Sequence, residues 1–71
     1  MGTDIRHRFA QRLRQLRKAK GWTQEELAEY ADMAVRQVQY LESNNPSPAK
    51  IDTLEKLSRA LKITLPRLLT F

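Results

Sequence analysis

The sequence predicts an all-α fold, a compact bundle of five short helices, and three observations predict it. Apolar side chains recur every three or four residues in one segment after another, the spacing of a single helix face. No stretch alternates with period two for long enough to make a strand. The chain-breaking residues fall between the helical segments: Gly21 is the only glycine after the first two residues, and the three prolines are Pro46, Pro48 and Pro66. The 71 residues read as one domain, 1–71, with no linker, repeat or low-complexity segment. A chain this short buries only about 60% of the surface it exposes when unfolded, so it needs a dense core, covalent staples or a partner.

The first helix is expected over 4–20. Ile5, Phe9, Leu13 and Leu16 mark its inner face, Asp4 can cap its start and Gly21 can take the left-handed position after its end. At 100° per residue, His7, Gln11, Arg14 and Lys18 share the opposite, solvated face, with Arg6 and Arg17 at the edge. Thr23 with Glu26 forms a capping box, and Trp22 with Leu27 a hydrophobic staple, opening a second helix over about 24–31. This makes Trp22 a core and staple residue. Asp32-Met33-Ala34 is a short break, after which a third helix runs through Glu42 with Val38 and Leu41 inward. A loop follows at Asn44-Asn45-Pro46-Ser47. Ser47 as cap and Pro48 at the first helical position predict a fourth helix to about Leu61, with Ile51, Leu54, Leu57 or Ser58, and Leu61 inward. Thr64 opens a last short helix around Pro66, Leu68 and Leu69.

Composition removes several function classes. There is no Cys and one His, so disulfides, zinc fingers, iron–sulfur centres and multi-His metal sites are excluded. No apolar run approaches the length of a membrane span, and nothing resembles a signal peptide. The absence of Cys fits a reducing cytoplasm. Catalysis needs a pocket with a matched acid–base or nucleophile pair, and the chain offers little for either. With no Gly-rich phosphate loop as well, the expectation is a non-enzyme without cofactor or metal. The net charge of +5 points to a polyanionic partner. Its distribution is uneven: residues 1–20 carry seven Lys/Arg against one Asp, residues 23–42 one Arg against five acids, and residues 43–71 five bases against two acids.

Residues 24–43 hold the informative pattern. Two short helices meet across a tight turn. Ala28 supplies the small residue where they cross, and Leu27, Ala31, Met33, Val38 and Leu41 supply apolar faces. Asp32 tolerates the positive φ the turn requires. Such a pair projects its second helix outward, and the DNA major groove admits one helix and shows each base pair distinctly. From Phe9 to Leu69 the chain resembles the phage-repressor and Cro type of helix-turn-helix domain. The resemblance rests on Arg17…Gly21-Trp22-Thr23-Gln24-Glu25-Glu26-Leu27-Ala28…Ala31…Met33…Val38…Leu41-Glu42, the Asn/Pro loop, and Thr53-Leu54-Glu55-Lys56-Leu57…Leu61. It implies a lambda-repressor-like five-helix fold and sequence-specific binding of double-stranded DNA. The chain departs from the pattern twice, with Asp32 in place of the usual Gly and Ala34 in place of a Ser or Thr cap. The second departure should cost about 1 kcal/mol.

On the third helix, Val38 and Leu41 define the buried side. Arg36 and Tyr40 then point most directly away, with Gln39 beside them and Val35 at the edge near the N-terminal end. The resemblance marks the same positions, Val35, Arg36 and Tyr40, as base contacts. Arg can grip guanine through two hydrogen bonds and Val can touch a thymine methyl. Tyr40 could equally reach a phosphate or pack half-buried on a neighbouring helix, and Arg36 taken alone could be a solvated surface residue. The resemblance further implies phosphate contacts at Gln24, Ser43, Asn44 and Asn45, and an ion pair between Arg17 and Glu42. His7 is expected to be solvated only.

One such domain buries about 600–1,000 Å² on DNA, too little for the specificity a genomic regulator needs. A homodimer on an inverted repeat is therefore expected, meeting through the C-terminal half. There Leu61, Ile63, Leu65, Leu68, Leu69 and Phe71 exceed what a short segment can bury alone. The functional expectation is a bacterial or phage transcriptional regulator, acting in the cytoplasm on DNA. An antitoxin that also binds a toxin, or a restriction–modification controller protein, is the alternative on the same fold.

Overall fold

The computed structural model describes residues 4–44, 46 and 48–71. Five helices follow one another: α1 Ile5–Ala19, α2 Gln24–Tyr30, α3 Val35–Glu42, α4 Ile51–Leu61 and α5 Leu65–Leu68. No strand occurs among the described residues. None of the described helices is long and apolar enough to cross a membrane.

Three of the starts have a side-chain cap as their local cause. The Asp4 carboxylate accepts the Arg6 backbone N–H at 2.8 Å and caps α1. Thr23 and Glu26 exchange reciprocal hydrogen bonds of 3.1 and 2.8 Å at the start of α2. Thr64 accepts the Arg67 N–H at 3.3 Å and caps α5. Three ends share one closure, a left-handed residue flanked by two crossed backbone hydrogen bonds. Gly21 (φ 74), Asp32 (φ 56) and Lys62 (φ 57) take that role after α1, α2 and α4. After α2, the Asp32 N–H reaches the Glu29 carbonyl at 3.2 Å and the Met33 N–H the Ala28 carbonyl at 2.8 Å. This closure ends α2 and leads the chain into α3.

The core is one cluster drawn from every helix: Phe9 and Leu13 of α1, Leu27 and Ala28 of α2, Val38 and Leu41 of α3, Leu57 and Leu61 of α4, and Leu68 of α5, with Ala31 beside them. Leu16, Trp22, Met33, Leu54, Ile63 and Leu65 pack around it partly exposed.

Four expectations fail. Ile5 and Ile51, expected inward, are 66% and 81% exposed. Both are the first residues of their helices, so no preceding turn folds them over the core. The start of α4 lies at Ile51 rather than Pro48, with Lys50 extended before it and supplying no side-chain cap. Ser47, the expected cap, lies outside the described residues. The extended course of Pro48–Lys50 lets Ala49 pack against the core, and that burial outweighs the local fitness of Pro48 for a helix start. The remaining difference concerns His7, which is half-buried with its Nε2 2.8 Å from the Asn44 carbonyl oxygen.

Candidate nucleic-acid interface

Arg17 and Glu42 meet as an ion pair that ties α1 to the end of α3. Arg17 Nε and Nη2 donate to the two Glu42 carboxylate oxygens at 2.9 and 3.0 Å. The Glu42 side chain is 1% exposed and that of Arg17 11%. Arg17 Nη1 also donates to the Trp22 carbonyl at 2.8 Å, and Gln24 Nε2 to Glu42 Oε1 at 3.2 Å. Arg14 of α1 donates to the Glu42 backbone carbonyl. One buried carboxylate thereby fixes α1, the turn before α2, the first residue of α2 and the last residue of α3. A bidentate guanidinium–carboxylate pair has a narrow geometry, so it sets the angle of α3 as well as its position.

That anchoring leaves one face of α3 open. Val38, Leu41 and Glu42 are buried, whereas Arg36, Gln39 and Tyr40 are exposed and Val35 is half-buried at the N-terminal end. The expected base-reading residues thus share the outward side of one helix. Gln24, half-buried, holds the start of α2 through its amide bond to Glu42. Ser43 Oγ donates to the Tyr40 carbonyl at 2.9 Å, and Asn44 is exposed with its carbonyl directed to His7. Asn45 lies outside the described residues. Beside α3 runs a cleft of about 210 Å³ walled by Gln37, Tyr40 and Leu41 on one side and Pro48, Ala49, Lys50 and Thr53 on the other.

Two features escaped the sequence reading. Arg14, placed on the solvated side of α1 by its helical angle, reaches across to the end of α3. Nothing short of the tertiary approach of α3 could have revealed it. Gln37 folds back so that its Oε1 accepts the Ala34 backbone N–H at 3.3 Å. The signal for this was present, because a Gln three residues after a helix cap is half of a capping box.

Comparison with known proteins places this geometry. A helix-turn-helix family model matches residues 13–68. No curated protein matches significantly. Among solved structures, the chain is similar to the restriction-modification controller protein C.AhdI from Aeromonas hydrophila. They share 37% identity, the match covers 92% of this chain and 96% of that one, and the TM-score is 0.82. It is similar to the N-terminal DNA-binding domain of SinR from Bacillus subtilis, at 37% identity over 92% and 94% of the two chains with a TM-score of 0.82. A hypothetical transcription factor from Neisseria, NHTF, aligns at 31% identity over 94% and 76% with a TM-score of 0.85.

Proposed function

Because the chain belongs to the helix-turn-helix family, of the XRE type, we propose that it binds double-stranded DNA sequence-specifically as a transcriptional regulator. The observation that carries the reading is the outward face of α3. Arg36, Gln39 and Tyr40 stand free of the core on a helix whose far end is locked by the buried Arg17–Glu42 pair. A rigidly held helix can enter the major groove without losing the order that base discrimination requires. Val35 and Arg36 read base edges from the leading end, with Gln39 and Tyr40 one turn behind. Gln24, Ser43, Asn44 and Asn45 contact the phosphates on either side.

The protein acts as a homodimer on an inverted repeat. The apolar surface available for that contact differs from the set read off the sequence. Leu61 and Leu68 are closed inside the protein's own core, and Ile63 and Leu65 are half-buried against it. Leu69 and Phe71 remain 43% and 37% exposed, and they line a cleft of about 250 Å³ with Ile5, Phe9, Pro48, Ala49 and Leu54. Ile51, one turn before Leu54 on α4, is a further exposed apolar residue. A second copy seated there would bring two recognition helices to bear about 34 Å apart on one face of the duplex. Within this reading, a restriction–modification controller is consistent with the 37% identity to C.AhdI, a likeness that the SinR domain equals.

Selection of bound sequences from a random duplex pool tests the proposal. The expected product is a two-fold-symmetric site occupied by two chains, with Ile51→Glu lowering occupancy. Arg36→Ala should relax preference at one position of each half-site by about 1–3 kcal/mol. Gln24→Ala should weaken binding to all sequences alike. Saturation at one chain per site would refute the dimer, and an unchanged preference in Arg36→Ala would refute the role given to that residue.

A further inference from the structure

We infer that Gln37 positions the base-reading end of α3, in place of the side-chain cap that Ala34 cannot provide; this rests on the proposed reading of α3 as the base-reading helix. The two ends of α3 are held very differently. At the far end, Glu42 takes two bonds from Arg17, one from Gln24 and one on its main chain from Arg14. At the leading end the preceding residue is Ala34, in an extended conformation (φ −71, ψ 142), whose methyl group accepts nothing. The caps of α1, α2 and α5 all accept a backbone N–H through an oxygen of their side chain.

Gln37 supplies the missing link in the reverse direction. Its Oε1 accepts the Ala34 N–H at 3.3 Å, while its own backbone N–H donates to the Ala34 carbonyl at 3.0 Å. The chemistry fixes the amide orientation, since a backbone N–H is only a donor and must face the amide oxygen. Residues 34 and 37 are thus closed on one another, with Val35 and Arg36 enclosed between them. The turn behind is itself fixed. The Met33 N–H bonds the Ala28 carbonyl at 2.8 Å, and Lys56 Nζ of α4 donates to the Asp32 carbonyl at 3.4 Å. The Ala34–Gln37 closure carries that constraint forward to the two residues that lead into the groove. Gln37 is exposed, so it does this without contributing to the core.

The test combines the free protein with its DNA complex and uses Gln37→Ala and Gln37→Ala/Ala34→Ser. In free Gln37→Ala, hydrogen exchange at the Ala34 and Gln37 amides should quicken about three- to tenfold, the effect of a lost cap, while the amides of α1 hold their rates. On DNA, its discrimination between the selected site and variants at the positions read by Val35 and Arg36 should fall about fivefold, with non-specific affinity unchanged. Ala34→Ser restores a neutral cap of the ordinary kind, whose Oγ accepts the residue-37 N–H, so the double variant should recover slow exchange at residue 37 and the lost discrimination, while the residue-34 amide, which that oxygen does not engage, stays fast. Unaltered exchange at Ala34, or unaltered discrimination, overturns the inference. A loss of discrimination that Ala34→Ser fails to repair also overturns it, because Gln37 would then be touching a base itself. A parent chain that prefers no sequence refutes the DNA reading alone, and the exchange measurement then decides whether the closure holds α3.

Discussion

Replacing Arg17 by Met should remove a quarter or more of the stability of the fold. The substitution keeps most of the side chain's length and apolar stem and deletes the guanidinium. Glu42, 1% exposed in its side chain, then loses both charge-assisted bonds and keeps only the Gln24 amide at 3.2 Å. Breaking a buried pair from one side costs about 3–5 kcal/mol, because the remaining charge has neither partner nor water. For 71 residues at about 0.05–0.15 kcal/mol each, the whole fold is worth roughly 4–11 kcal/mol. The double variant Arg17→Met/Glu42→Met leaves no buried charge, only the Trp22 carbonyl and the Gln24 amide without their partners, and should recover most of the loss. Urea unfolding of Arg17→Met, Glu42→Met and the double variant, followed by far-ultraviolet circular dichroism, measures the three differences from the parent, and the cycle isolates the coupling. A single variant within about 1 kcal/mol of the parent, or a double variant no better than the single one, would refute the argument that the carboxylate depends on this guanidinium.

Three further outcomes are expected. The side-chain and backbone hydrogen bonds of Arg6 hold the Asp4 carboxyl at a pKa of about 2 against an ordinary 3.8. A lowered folded pKa means this cap is fully effective above pH 3.8 and is lost as pH falls through about 2, so the Arg6 amide resonance should titrate near 2; a midpoint near 3.8 would show that the contact is not made. Lys62 sits at φ 57, and Lys62→Gly should raise stability by about 0.5–1 kcal/mol in thermal or urea unfolding, the relief of left-handed strain exceeding the extra freedom glycine gives the unfolded chain. Ala28 is 3% exposed where α2 turns into α3, and Ala28→Leu should overpack that crossing and cost about 1–3 kcal/mol by the same measurement.

Sequence patterns with a short-range cause were readable. The capping box at Thr23, the left-handed Gly21 and the small Ala28 each act within a few residues, and the helix boundaries they imply match the structure to within a residue or two. The Arg17–Glu42 pair spans 25 positions and was legible only through resemblance to a family. The start of α4 was misread because Pro48 suits a helix start locally, whereas the packing of Ala49 against the core is a tertiary effect. Ile5 and Ile51 show the limit of periodicity. A heptad-like spacing locates the face of a helix but does not say how far along its axis the core extends.

Four arginines of α1 are engaged by other parts of the protein. Arg8 and Arg12 lie on one flank of the apolar stripe and donate to the Phe71 and Arg67 carbonyls at 2.9 and 2.8 Å, at the end of α5. Arg14 and Arg17 lie on the other flank and close the end of α3. The Arg67 and Glu42 carbonyls lie in the last turns of α5 and α3, where a cation also meets the negative pole of the helix dipole. Four of the seven cations of this most basic segment thereby brace the fold, while Lys18 and Lys20 stay exposed. A salt titration of DNA binding counts phosphates neutralised, at a slope of about −0.9 for each. For the proposed complex that count is set by the few cations around α3, and affinity should fade with salt more gently than a formal charge of +5 would imply.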